Sequence, residues 1–295
     1  MASTRDIKKR LKAVDNIKRI TRTMQLIATS KFQAALRRAT QTKPYTEQIA
    51  RLVAQVSEAA GDVELDHPLL QPLVEPAGRE LLLVISSNRG LCGGYNANIL
   101  RTATGHLNDH PDTETQLAVA GRKGSAFFRF AGRDVTDTHN ELGDPPAYDR
   151  VNAIAADYIE RFSAGQFDAI RIAYMRFESA SRQTPQLLTL LPLQRPTADD
   201  APQPDSPGRL ADYEFSPDPQ SILAELLPVT VKTQLFQCFN DATVSEQVAR
   251  MVAMKAATDN AGEMGRLLTR QYNRARQAQI TTELSEIVTG AEALK

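Results

Sequence analysis

The residues best placed to do chemistry lie in one short run, Ser86-Ser87-Asn88-Arg89-Gly90-Leu91-Cys92-Gly93-Gly94-Tyr95-Asn96, after an aliphatic stretch and before a helical one. A strand, a glycine-rich turn and a helix in that order can cradle a phosphate, because backbone N–H groups and the helix dipole converge on the turn. The details point elsewhere. The run lacks the G-x-G-x-x-G spacing, the P-loop Lys-Ser/Thr pair and an acid placed for a ribose. A tight structural turn built on Arg89, Gly90, Cys92, Gly93 and Gly94 is the expectation. Cys92 could act as a nucleophile only beside a base within hydrogen-bond reach. The four histidines, His67, His106, His110 and His139, fall in loop-like or helix-end sequence without a recognisable pairing, so Cys92 reads as a small packed residue. His106 and His110 stand four apart, as helical metal ligands can, but a third ligand is not evident and Pro111 ends the helix. Both are expected at the surface. No G-x-S-x-G or H-E-x-x-H run occurs, and no carboxylates can be placed together as a pair. These residues predict no catalytic, cofactor or metal site.

The elements around the turn are of two kinds. From Arg5 to about Glu58 the chain has no Gly and one Pro, Pro44. Apolar residues recur at Ile7, Leu11, Val14, Ile17, Ile20, Met24, Ile27 and Ala28, then at Ile49, Leu52, Val53 and Val56, in helical steps of three and four. Such a helix spans roughly 75–80 Å, too long to bury its stripe in a compact core. From about Val229 to Leu294 there is no Pro, and Val244, Val248, Met251, Met254, Ala261, Met264, Leu268, Tyr272, Ala275 and Ala278 step likewise. Gly262 and Gly265 hint at close helix–helix approach or a bend. The two stripes are predicted to meet as an antiparallel two-helix coiled coil formed by the N- and C-terminal segments. The middle alternates: strand Leu81–Ile85, helix Asn96–Leu107, strand Leu117–Ala120, short helix Ser125–Phe130, helix Val151–Phe162, strand Ala169–Phe177. That order predicts a central Rossmann-like α/β domain with a mostly parallel sheet. The expected division is 1–60 for the N-terminal helix, 75–215 for the α/β domain and 216–295 for the C-terminal helix. Within it, Pro196, Pro202, Pro204 and Pro207 among Asp199, Asp200 and Asp205 suggest a mobile surface insert at about 195–208.

Composition narrows the partners. Across 295 residues, formal charge sums to zero, yet Met1 to Arg38 holds eleven Lys or Arg against two acids, Asp6 and Asp15, a net +9. Such a segment is either a solvated charged face, the usual case, or a surface for negative charge, on nucleic acid or on an acidic protein that surrounds the helix pair. Interleaved aromatics and a known nucleic-acid-binding fold are both missing around it. Two cysteines, Cys92 and Cys238, make neither a disulfide framework nor a zinc site and are expected reduced, in an intracellular compartment. The longest aliphatic run, Leu81 to Ile85, is far below the ~20 residues that cross a bilayer. The start enters charged helix-forming sequence without an apolar signal core, so no removable targeting segment is expected.

Several segments resemble one family. Ile17-Lys18-Arg19-Ile20-Thr21-Arg22-Thr23-Met24 through Ala28-Thr29-Ser30-Lys31 resembles the opening helix of the gamma subunits of F-type ATP synthases. Arg89-Gly90-Leu91-Cys92-Gly93-Gly94 with Asn96 is similar to that family's central motif. Tyr272-Asn273-Arg274-Ala275-Arg276-Gln277-Ala278, then Ile280-Thr281, Glu283-Leu284, Glu286-Ile287 and Gly290-Ala291, is similar to its C-terminal signature. The family usually carries Asp where this chain has Asn88, and paired cysteines of the chloroplast type are missing. The resemblance implies a bacterial central rotor shaft. It would transmit torque between a membrane c-ring and the catalytic beta subunits of an alpha/beta hexamer, against an epsilon subunit. It implies no catalytic residue, cofactor, metal or nucleic acid of the chain's own. It also implies peripheral residence on the cytoplasmic face of the inner membrane, through the complex only. By motif position, Met24, Arg274, Arg276, Gln277, Ile280, Thr281 and Glu283 would contact partner subunits.

Overall fold

The computed structural model describes residues 4–59, 67–70, 78–142, 145–193 and 219–293. The predicted insert at about 195–208 lies outside the described residues. Two helices dominate: α1 (Thr4–Ala59), continuous through Pro44, and α5 (Pro219–Ala293). The chain divides into two compact units, Met1–Ser30 with Arg250–Lys295, and Lys31–Ala249.

The larger unit is built on a five-stranded sheet of order β3-β2-β1-β4-β5: β1 (Arg79–Ile85), β2 (Glu114–Ala120), β3 (Asp137–Thr138), β4 (Ala169–Phe177) and β5 (Gln183–Leu191). The first four strands run parallel, with Leu83 opposite Ala118 on one side and Ile172 on the other. Strand β5, which the sequence pattern did not signal, pairs antiparallel with β4 at the edge. Pro185 within it masks the strand pattern and is tolerated because an edge strand has an outward side that makes no ladder bonds. Helices α2 (Tyr95–Asp109), α3 (Arg122–Phe130) and α4 (Tyr148–Ser163) supply the crossovers.

Alternation along the strands sends side chains to two cores. Leu82, Val84, Val119 and Met175 pack with Tyr95, Ile99 and Ala103 of α2 and Phe128 of α3. Leu81, Leu83, Ala118 and Ile172 face the opposite way, against Val151, Ala155 and Tyr158 of α4. Ile49, Val53 and Val56 of α1 and Leu223, Leu227 and Val231 of α5 join that second core. This packing explains how α5, from Pro219, runs through Pro228, ahead of the Pro-free stretch that begins at about Val229. A helix-interior Pro costs about 3 kcal/mol. Burying Leu223 and Leu227 at 2% and 0% exposure offsets it with about 1.5–3 kcal/mol per side chain.

In the smaller unit the helix ends run antiparallel. Thr258 Oγ1 donates to Thr21 Oγ1 at 2.8 Å, and Thr4 Oγ1 to the Gln279 side-chain oxygen at 3.0 Å, so each step up α1 meets a step down α5. The buried positions of α1 fall every seventh residue, at Ile7, Val14, Thr21 and Ala28. On α5, Met254, Thr258 and Ala261 are buried. Gly265, Leu268, Tyr272 and Ala275 continue the same three-and-four spacing, half-buried. A sustained heptad is the pattern of a left-handed coiled coil. The seam is narrower than the apolar stripe. Ile17, Ile20 and Ile27 are 52%, 59% and 53% exposed, and Met264 of α5 is 53% exposed.

Candidate functional site: the glycine-rich turn and the helix pair

The run after β1 forms the expected turn between β1 and α2, and its polar groups are used within the fold. Asn96, in the first turn of α2, reaches back under the loop: its Oδ1 accepts from Ser87 N at 3.0 Å, and its amide donates to Ser87 Oγ at 2.8 Å and to Cys92 Sγ at 3.2 Å. Cys92 is 2% exposed. The start of α3 closes on the same loop. Arg122 N donates to Asn88 Oδ1 at 3.2 Å, Lys123 N to Ser87 O at 3.0 Å and Gly124 N to Ser86 Oγ at 2.9 Å. The N–H groups an anion would need at that helix start are therefore occupied. Asn88 uses only its carbonyl oxygen for this contact. Gly121 marks how closely the two loops approach: it has φ +100°, and a Cβ there would lie 2.2 Å from Ser86 O.

One expectation is overturned. His106 is not at the surface but 7% exposed, its Nε2 2.7 Å from Glu80 Oε1. The other oxygen of Glu80 accepts from Arg171 Nε at 2.9 Å, so one buried carboxylate ties α2, β1 and β4 together. The cause is the face of α2 that packs on the sheet: His106 follows Ile99 and Ala103 on it. An acid directly before the fully buried run Leu81–Val84 was the available signal, since buried carboxylates are found paired. His139 also has a partner, the Tyr158 hydroxyl at 3.2 Å; burial lowers the affinity of this imidazole for a proton, against the pull of Asp137 and Asp157. Burial pushes the Cys238 thiol and the Tyr174 phenol up, away from reactive ionisation. Among the described residues no group of His, Cys, Asp or Glu is arranged to hold a metal ion.

The helix pair carries the residues assigned to partner contact. Met24 is half-buried beside the seam. Arg274, Arg276, Gln277, Ile280, Thr281 and Glu283 lie together on the stretch of α5 beyond Tyr272, all exposed. Thr281 donates to the Gln277 carbonyl at 3.0 Å and Gln279 to the Glu283 carboxylate at 2.9 Å, bonds internal to the helix. Beyond Gln279 no described residue of α1 stands opposite, and Leu284, Ile287 and Val288 are 58%, 68% and 57% exposed. Gly262 and Gly265 do not mark close approach: a Cβ would meet nothing nearer than Lys18 at 3.8 Å and Val14 at 3.9 Å, ordinary contact. No helix of the described residues is long and apolar enough to cross a membrane.

These features define a class: a protein whose chain ends pair as an antiparallel coiled coil and whose middle folds as a mostly parallel α/β sheet. Residues 3–294 match the ATP synthase family. The ATP synthase gamma chain of Rhodopirellula baltica is 44% identical over 298 residues and that of Leptospira biflexa 39% over 296, each with 100% of both chains covered. The chain belongs to the ATP synthase gamma chain family. Its fold is similar to a chain in the cryo-EM structure of the Euglena gracilis mitochondrial ATP synthase OSCP/F1/c-ring assembly. The TM-score is 0.64 at 17% identity, over 99% of this chain and 94% of that one. A chain in the rotor structure of the same enzyme gives 0.60 at 17% identity, over 94% and 98%.

Proposed function

We propose that this chain is the central rotor shaft of a bacterial F-type, proton-translocating ATP synthase, turning with a membrane c-ring and driving the catalytic beta subunits through their states. It binds no substrate and carries no catalytic group. Its partners are the alpha and beta subunits of the hexamer, the epsilon subunit and the c-ring, and it sits peripherally on the cytoplasmic face of the inner membrane through them. Residues 1–60 and 216–295 serve as the shaft and 75–215 as the α/β domain. The observation that carries this reading is the apolar surface left outside the coiled-coil seam. Ile17, Ile20, Leu267, Leu284 and Ile287 stay exposed on helices that have already buried one stripe against each other. Surface of that extent calls for a protein sleeve. Met24, Arg274, Arg276, Gln277, Ile280, Thr281 and Glu283 would meet the beta subunits there, and the turn from Arg89 to Gly94 would hold the α/β domain's shape. The test is reconstitution of ATPase activity from alpha and beta subunits with and without this chain. Stimulated, rotation-coupled turnover is expected. A chain that fails to join the hexamer would instead be a coiled-coil scaffold or adaptor.

A further inference from the structure

Within the α/β sheet domain, the chain leaving α2 and the chain leaving α3 converge beside the start of β2. α2 stops at Asp109, because Pro111 cannot continue it, and His110 caps the end. The His110 N–H and Nδ1 both lie against the His106 carbonyl oxygen, at 3.2 and 3.1 Å. A ring nitrogen facing a carbonyl carries a proton, so Nε2 is the nitrogen left for another group. α3 stops at Gly132, in the left-handed region at φ +71°. Gly132 N donates to Arg129 O at 3.2 Å and Arg133 N to Phe128 O at 2.9 Å, the paired bonds of a Schellman end. That closure fixes the backbone of Arg133, whose Nη2 donates to Asn108 Oδ1 at 3.2 Å. Between these ends lies a cleft of about 310 Å³ whose polar side chains are Asn108, His110, Thr113, Thr115 and Arg133.

The chemistry of that lining is one-sided. A guanidinium only donates, so Asn108 turns its oxygen to Arg133 and keeps its amide hydrogens free. The Thr113 and Thr115 hydroxyls have no partner and Arg133 no ion pair among the described residues. No carboxylate lines the cleft. The carbonyl end of α2 sets up an opposing field, but His110 has already taken the His106 oxygen there. We propose that this cleft binds a phosphate group, with its oxygens held by Arg133, the Asn108 amide and the two threonine hydroxyls and its P–OH hydrogen accepted by His110 Nε2. Donors from three separate elements suit a tetrahedral oxyanion, whereas a carboxylate presents two oxygens in one plane. Sulfate has the phosphate's shape but, near neutral pH, no hydrogen for the imidazole nitrogen.

The test is titration calorimetry of the purified full-length chain with inorganic phosphate, in a phosphate-free buffer, with sulfate as the control. One saturable phosphate per chain is expected, tighter than sulfate and weakening as salt rises. Arg133→Gln should weaken it about tenfold, and Thr115→Val, which keeps the side chain's shape, should weaken it severalfold. Circular dichroism checks folding of each variant, and either one that folds decides. A second arm pellets the chain with phosphatidylcholine vesicles with and without phosphatidic acid, whose head group is a phosphate monoester. Binding of inorganic phosphate without pelleting assigns the cleft to a free phosphate; pelleting that needs both phosphatidic acid and Arg133 assigns it to a lipid head group. The proposal is overturned if neither arm shows Arg133-dependent binding. It is equally overturned if sulfate binds as tightly as phosphate, or if both folded variants bind like the parent.

Discussion

Asn96 holds the glycine-rich turn from beneath, satisfying Ser87 N and contacting Cys92 Sγ. The polar groups of this turn are tied to one another by hydrogen bonds within the fold, and Cys92 is packed among them. Cys92→Ala should therefore cost about 1 kcal/mol or less in chemical denaturation, through lost burial. ATPase turnover of a reconstituted complex should stay within a few-fold of the parent; loss of turnover in a complex that still assembles would give Cys92 a chemical role. His139 supplies a pH dependence. Burial lowers its proton affinity in the folded state, so below its ordinary value of 6.5 the unfolded chain takes up a proton that the folded chain resists. Its contribution to stability is then complete above that pH and is lost as pH falls through and below 6.5. Denaturation midpoints measured from pH 7.5 to 5 should fall for the parent, and fall less for His139→Gln. Equal slopes would remove His139 as the cause.

Elements bring together what sequence distance separates. The Glu80 carboxylate unites β1 with His106 of α2 and Arg171 of β4, positions 26 and 91 residues away. Along the coiled coil, the heptad seam at Ile7, Val14, Thr21 and Ala28 is interrupted once by polarity, where Thr21 meets Thr258. A hydrogen-bonded polar pair at a seam favours one register over slipped ones. The glycines opposite Val14 and Lys18 offer a direct comparison with that packing. Gly265→Ala adds a Cβ at 3.9 Å from Val14, which the space accepts, and it removes the propensity penalty. Thermal unfolding of this variant should report stabilisation of about 1 kcal/mol. A lowered midpoint would mean that the backbone at Gly265 is under a demand the geometry does not display.

For the molecule as a whole, the exposed polar group on α5 is where a shaft would grip its surroundings. Arg276 and Gln277 are exposed on α5, within a turn of Gln279, which meets Thr4 of α1. Inside a sleeve each would bond to a partner, and a charge-assisted bond there contributes roughly 1.5–3 kcal/mol. The assembly surface is far larger than two side chains, so replacing both with Ala should leave assembly intact while lowering ATP hydrolysis, or protons pumped per ATP, in membranes carrying the variant. Parental rates of both would dismiss the pair's role in coupling.

The sequence by itself determined the helices and three of the four parallel strands, β1, β2 and β4, because apolar periodicity and strand–helix alternation are local properties that burial rewards wherever the chain folds. The segment Ala169–Phe177 was legible to the residue, and the long N-terminal helix nearly so. Tertiary structure alone decided what depends on a neighbour remote in sequence. It put His106 in the interior, because a carboxylate from β1 and the sheet face stood ready to receive it. It let α5 run through Pro228, because core packing outweighed local propensity. It made β5 a strand in spite of Pro185, because an edge position has an outward side free of ladder bonds. The space beside Gly262 and Gly265 likewise belongs to neither helix alone. It exists because the antiparallel register sets Val14 and Lys18 across from residues without side chains.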